Sequence, residues 1–408
     1  MSARPSMKPS GLAWAPQVPA HWTVKKLAFV ASLKSGDSIT SDDIRDDGSY
    51  PVYGGNGLRG YADGFTHQGE YALIGRQGAL CGNINYAKGE FWASEHAVVV
   101  APREEIAVRW LGEVLRAMDL NQYSASAAQP GLAVDTISAL KVPIPPLKEQ
   151  RAIADYLDRE TVRLDALVAA KERVLGLLAE KRRALITRAV TRGLDPRAPL
   201  RDSGIPWLGE IPAHWETERT RWLFRERDER SVTGEEELLT VSHLTGVTLR
   251  SEKDVNMFEA ETTEGYKLCL AGDLVINTLW AWMGAMGVAR TNGIVSPAYN
   301  VYETGPRLNS DYIDSLVRLP VFAQEVTRYS KGVWSSRLRL YPEGFFEVYL
   351  PVPSLHEQGA IVKHILTESA KIGAMSIATE RTIGLLKERR AALIATAVTG
   401  QIDVGSAA

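Results

Sequence analysis

The chain has 408 residues, 45% of them apolar and 24% charged, with a formal net charge of −2. That is the composition of a globular protein long enough for two or three domains, and it excludes wholesale disorder. A charge so close to zero also excludes a uniformly basic surface, so any contact with nucleic acid must come from a local patch or be shared with a partner.

The amino terminus, MSARPSMKPSG, lacks the apolar core of a signal peptide, and no run approaches the length of a membrane span. Cys81 and Cys269 stand alone, with neither CxxC spacing nor histidines at ligand spacing. That pattern fits a reducing compartment, predicts no metal site and points to a cytoplasmic chain. The first block, Ser10–Trp14 followed by Val18-Pro19-Ala20-His21-Trp22, returns as Ser203–Trp207 and Ile211-Pro212-Ala213-His214-Trp215. The interval is 193 positions (14 to 207, 22 to 215). Tryptophan beside a proline that fixes a turn reads as a packing corner, in preference to a binding role for His21 and His214.

From Thr23 to Leu140, short apolar runs broken by glycine predict strands at Tyr50–Tyr53, Tyr71–Ile74 and Ala97–Val100, then a helix between Glu105 and Leu120. Within this region Gly55-Asn56-Gly57-Leu58-Arg59-Gly60 satisfies GxGxxG. A dinucleotide fingerprint needs those glycines to join a strand to a helix. Tyr61-Ala62-Asp63-Gly64-Phe65 follows, without helical period, so a glycine turn is the better account.

Pro143, Pro145 and Pro146 end this region, and a long helical pattern opens just after them. Leu157, Leu164, Leu178 and Leu185 mark an apolar seam of coiled-coil spacing, interrupted at Lys171 and Arg182. From Ile153 to Arg188 the pattern would make roughly 54 Å of helix at 1.5 Å per residue. Past the Pro-rich linker DPRAPLRDSGIP and the second tryptophan block, the region 216–349 predicts strands at Asp273–Ile276 and Tyr299–Tyr302 and one helix over Asp311–Tyr329. The long helical pattern then returns: Leu147 recurs as Leu355, Glu149 as Glu357, Gln150 as Gln358 and Leu185 as Leu393, each 208 positions later. Its seam runs through Ile365, Ile372, Leu386 and Leu393, with Ser369, Ser376, Thr379 and Arg390 as weak places. Ser354 and Glu357 have capping-box spacing, and Gly193 and Gly400 stand where a glycine would close each helix. Two in-register copies in one chain predict mutual pairing. The chain therefore divides into residues 1–141, 142–197, 198–349 and 350–408, with an α+β fold: two regions of mixed strands and short helices, joined by two long antiparallel helices in a tandem pseudo-twofold repeat.

No GxxxxGK loop, no Asn-Pro-Pro-aromatic or Asp-Pro-Pro-aromatic motif, no GxSxG elbow and no nuclease-like carboxylate cluster occurs. The chain is read as non-catalytic. Its unrepeated regions carry polar and aromatic groups suited to DNA, where Lys and Arg meet phosphates and Asn, Gln, Ser and Arg read base edges. In the first region these are Arg59, Tyr61, Arg76, Gln77, Asn83, Asn85, Tyr86, His96, Gln122 and Ser124. In the second they are Asn277, Trp280, Trp282, Arg290, Asn292 and Tyr299, followed by a stretch free of acids that holds Arg328, Lys331, Trp334, Ser335, Arg337 and Arg339.

SGIPWLGEIPAHW, the PxPPLxEQxxIxxxL and PxPSLxEQxxI helix openings and the KRRALIxxAVTxGxD-like helix ends resemble, in combination, the specificity subunit of type I restriction–modification systems. YPVYGGNGLRGY, IGRQGALCGNI and GDLVINTLWAWMGAMG look like the interiors of its target recognition domains. The resemblance covers essentially the whole chain. It implies that each recognition domain reads one half of a split double-stranded DNA site, and that the two helices pack antiparallel as a spacer. It further implies that two methyltransferase subunits dock around that core and two motor–nuclease subunits complete the restriction complex. S-adenosylmethionine, ATP and Mg are then expected on those partners and no cofactor on this chain. The diluted seam at Ser369, Ser376 and Thr379 departs from a strong coiled coil, and the QID tail is expected near the amino-terminal tryptophan block. Rival readings are the recognition subunit of a methylation-only complex, a nucleotide-binding enzyme using Gly55–Gly60, and a coiled-coil scaffold without a DNA role.

Overall fold

The computed structural model describes residues 6–78, 80–124, 131–253, 262–332 and 338–404. Proline placement sets its two largest elements. Just past Pro146 a single helix runs from Leu147 to Arg192, 46 residues, and its repeat runs from Leu355 to Val398, 44 residues. Both exceed the stretch that seam residues alone delimit, because the turn following the prolines is already helical. The Ser354 hydroxyl accepts from the Glu357 amide, and the Glu357 carboxylate accepts from the Ser354 amide (3.3 Å each), which closes the capping box. Gly193 and Gly400 take φ of 70° and 71°, the left-handed conformation that ends a helix at least cost in glycine.

Packing divides the chain into two compact units, residues 1–173 with 379–408, and residues 174–378. The boundary falls inside both long helices, so each unit holds a piece of each. In the first unit Asp165 pairs with Arg390 (2.9 Å) and Glu172 with Lys387 (3.8 Å), a descending order that makes the segments antiparallel. In the second, Leu185, Ile186, Val362 and Ile365 belong to one hydrophobic core. Leu157, Leu164, Leu178, Ile365 and Ile372 are buried, while Leu185, Leu386 and Leu393 are half-buried. The seam tolerates Ser376 because its hydroxyl donates back to Ile372 O one turn earlier (3.1 Å).

The first unit carries a six-stranded sheet in the order Ala31–Ser35, Ala97–Pro102, His67–Gly75, Ile84–Ala93, Tyr50–Gly54, Gly57–Ala62. Its strands pair antiparallel except Tyr50–Gly54 beside Ile84–Ala93, which is parallel. The GxGxxG stretch closes the hairpin between the last two strands, with Gly54 opposite Gly57; a strand, and no helix, follows the turn. Helix Val108–Ala117 covers the sheet, burying Trp110, Leu111, Val114 and Leu115 with Trp22, Leu157, Ala397 and Val398 in one core. The second unit carries an antiparallel four-stranded sheet in the order Phe224–Arg227, Tyr299–Thr304, Leu274–Asn277, Met286–Val288. Its core gathers Trp215, Tyr302, Tyr312, Phe322 and Phe345.

The expected strands form. The single helix expected over Asp311–Tyr329 does not: two helices form instead, Ser310–Val317 and Pro320–Arg328. Pro320 forces Leu319 into extended backbone (ψ 137°) and opens the second helix at its first turn. In the first unit the helix expected over Glu105–Leu120 is trimmed to Val108–Ala117, followed by a 3₁₀ turn at Leu120–Tyr123.

Candidate nucleic-acid interface

Each unit rests on the same set of contacts. Trp22 is 1% exposed and its indole N–H donates to Glu149 (2.9 Å); Trp215 is 2% exposed and donates to Glu357 (3.3 Å). A carboxylate can only accept, so the His21 and His214 Nε2–H groups donate to those same glutamates, at 2.8 Å in both units. Gln150 donates to Pro145 O (2.9 Å) and accepts from the Ala107 amide (3.0 Å) at the start of the sheet-covering helix. Gln358 does likewise with Pro353 O (2.8 Å) and the Asn309 amide (2.7 Å). Lys8 and Arg201, 193 positions apart, each donate to the carbonyl of their unit's buried tryptophan, at 2.5 and 2.7 Å. His21 and His214 are thus corner residues, as their tryptophan and proline neighbours suggest.

On this frame the first unit draws three loops together. Arg76 N donates to His96 O (2.9 Å), Gly75 N to Asn83 O (2.8 Å), and the Asn83 amide to Asn56 Oδ1 (2.9 Å), so the Gly55–Asn56 turn, the segment 76–83 and the segment 94–96 meet. Gln77 bridges to Gly131, whose amide donates to Ser124 Oγ (2.9 Å), bringing Ser124 to the same place. Asn85 Nδ2, Glu95 Oε2 and His96 Nδ1 find no hydrogen-bond partner among the described residues. Unpaired polar atoms of this kind cost about 1–3 kcal/mol each, a penalty a ligand can relieve. Arg59 is exposed on the hairpin and Tyr61 is half-exposed beside it. Two candidates are occupied elsewhere. Tyr86 donates to Glu113 (2.9 Å), a buried carboxylate that also pairs with Arg109 and Arg116; burial, then the Glu113 charge, pushes the Tyr86 phenol well up. Gln122 donates to Met118 O (2.7 Å) within its own turn.

In the second unit the end of strand Leu274–Asn277 gathers Asn277, Trp280, Trp282 and Tyr299. Asn277 is opposite Tyr299 in register and its Oδ1 is buried with no hydrogen-bond partner among the described residues. Trp282 is fixed by its N–H bond to Leu279 O (3.0 Å), and Trp280, half exposed, stacks on it at 6.1 Å. Lys331 and Arg339 pair backbone to backbone (2.9 Å both ways), and Leu340 N donates to Thr278 O (3.1 Å), which lands the stem of this basic loop beside Trp280. Exposed Arg328 precedes it, tied to Glu325 (2.9 Å). Arg290 and Asn292 lie at the opposite end of the strand, since Val288 pairs with Leu274. There Arg290 is held by Asp311 and Asp314, and Asn292 accepts from the Ala271 amide (2.8 Å). Trp334, Ser335 and Arg337 lie outside the described residues.

Several of these roles carry no motif of their own: Glu149 and Glu357 as dual acceptors, Gln150 and Gln358 as clamps, and Glu95 beside His96. The constant intervals held the signal for the first four. For Glu95 there was none. Among the described residues no group of His, Cys, Asp and Glu could hold a metal ion, and no helix is long and apolar enough to cross a membrane.

Residues 19–172 match the type I restriction modification DNA specificity domain family. The specificity subunit of the type I restriction enzyme EcoprrI of Escherichia coli is 46% identical over 139 residues, 33% of this chain and 35% of that protein. The aligned stretch thus spans about a third of that relative. Among solved structures, one concerned with complex assembly and conformational transition of the type I R-M system superposes with a TM-score of 0.66 at 14% identity, covering 94% of this chain and 99% of the other. The HsdS subunit from Thermoanaerobacter tengcongensis superposes with a TM-score of 0.53 at 15% identity, covering 94% and 98%. At such identities these two speak for the fold.

Proposed function

We propose that the chain is a type I restriction–modification specificity subunit, the non-catalytic DNA-recognition subunit of a methyltransferase and endonuclease complex, a reading supported by the family match over residues 19–172 and by the Escherichia coli relative. Residues 1–141 and 198–349 each read one half of a bipartite site. The two long helices set the gap between the halves and receive two methyltransferase subunits, and two motor–nuclease subunits join when restriction is required. S-adenosylmethionine, ATP and Mg act on those partners.

The observation that supports this most is a repeated frame carrying two dissimilar sheets, since one frame can then position two different readers. In the first unit, Gln77, Asn83, Asn85 and His96 offer base-edge contacts: Asn and Gln can pair bidentately with adenine N6 and N7. In the second, Lys331 and Arg339 meet phosphates, which fix register without reading sequence, while Trp280 offers an aromatic face. Two readers meeting one face of the duplex require half-sites about one helical turn apart, roughly 34–36 Å.

Exchanging residues 23–141 for those of a relative and mapping methylated adenines tests the reading. One half-site is expected to change and the other to persist; a change in both would refute independent readers. Inserting residues near Lys171 is expected to lengthen the unread gap, and an unaltered gap would reject the spacer role.

A further inference from the structure

We infer that Phe29 and Trp222 are equivalent anchors at which the methyltransferase subunit docks twice, a copy on each unit. The inference rests on the functional reading above, in which a partner is supplied in two identical copies, and adds where each copy is gripped. The two residues stand 193 positions apart (29 to 222), the interval that separates Trp22 from Trp215. Trp22 and Trp215 are buried, whereas Phe29 is 69% exposed and Trp222 is 72% exposed.

A single exposed ring is ordinary on a protein surface. Here both rings are held outward by the same construction. Leu27 and Val30 on either side of Phe29 are buried, as are Thr220 and Leu223 around Trp222. The turn is pinned to the strand before the long helix in both units: Leu27 N donates to Leu140 O (2.7 Å) and Thr220 N to Val348 O (2.9 Å). Arg103 clamps Ala28 O (3.0 Å), and the Thr220 hydroxyl clamps Phe345 O. Neither ring can turn inward without displacing a core residue. A pre-set aromatic loses little freedom on association, and aromatics, tryptophan above all, dominate the energetics of protein interfaces.

Exposed Met7 and Leu200 repeat at the same interval, whereas among the described residues exposed Leu58, Val232 and Leu244 of the sheet regions have no exposed apolar counterpart 193 positions away. What the two units share must serve something identical on both; what differs is free to serve two different DNA halves. Local charge favours a protein socket over a phosphate. At Trp222, Arg219 and Arg221 are both taken by Glu347.

The test is native mass spectrometry of the full chain co-expressed with the methyltransferase subunit of its restriction–modification system. Wild type is expected to carry two copies, Phe29→Ala or Trp222→Ala one, with affinity at the altered side at least tenfold weaker, and the double variant none. Phe65→Ala, an exposed ring of the sheet region, is expected to keep two. Thermal melting of the anchor variants is expected to match wild type, which separates lost docking from lost folding. Two copies on the double variant, or loss of DNA binding at full stoichiometry, would overturn the inference alone. A wild-type chain that takes up no methyltransferase subunit would bring down the functional reading, and the inference with it.

Discussion

The two units agree where they touch the long helices and disagree almost everywhere else. His21 reaches Glu149 across 128 positions and His214 reaches Glu357 across 143, yet both bonds measure 2.8 Å. The 15 additional positions are absorbed between the tryptophan block and the helix, where the first unit has a six-stranded sheet with one parallel pair and the second a four-stranded antiparallel one. In each unit a glutamine joins the proline carbonyl at the helix opening to the amide that starts a sheet-covering helix. The residues that anchor each unit to its helix are therefore separate from the sheet residues that differ between the units. A sheet can be exchanged so long as its first helix still meets that glutamine.

The largest blow to this equivalence would come from the buried indoles. Trp22→Ala and Trp215→Ala should each destabilise their unit by about 3–5 kcal/mol, read from urea unfolding. A loss confined to one of them would show that the corners are alike in shape but not in weight. A smaller and more selective effect is expected at Glu357. Burial alone would raise its pKa, but hydrogen bonds from His214, Trp215 and Ser354 outweigh burial and hold the carboxyl below the ordinary range. A group depressed in the folded state stabilises fully above its unfolded value, about 4.3 for glutamate, and that contribution is lost as pH falls through the folded value. The urea midpoint should therefore fall more steeply below about pH 4.3 in wild type than in Glu357→Gln; parallel acid limbs would remove the carboxylate from the account. The slightest change is expected at Lys331→Ala: DNA binding by the assembled complex weakens alike on all sequences, and the salt slope drops by about one. Arg337→Ala should behave the same way. A loss limited to one half-site would move either residue from phosphate contact to base reading.

What could be read from the sequence follows the same division. The tryptophan corners, the capping box, the terminal glycines and the helical seam are written twice at fixed intervals, so repetition marks them before any geometry is known. The sheet regions lack that marking. Tyr86 looks like a free aromatic because its partners Arg109 and Glu113 lie more than twenty positions on, and only the folded helix presents them together. Arg290 looks like a cation available to phosphate because Asp311 and Asp314 share one face only once that helix exists. Pro320, by contrast, carries its own instruction to break a helix, and attention to the residue before it would have split the Asp311–Tyr329 pattern.

The first unit is not continuous in the chain, and this has a consequence for synthesis. Its core needs Ile394, Ala397 and Val398, and Gly400 sits so close to Pro19 and Trp22 that a side chain there would collide with them. The second unit, residues 174–378, emerges uninterrupted from the ribosome. The unit begun first is therefore the one finished last. At about 5–20 residues per second its nascent core waits on the order of ten to forty seconds, with the side of Trp22 toward Gly400 uncovered, for the final helix to arrive.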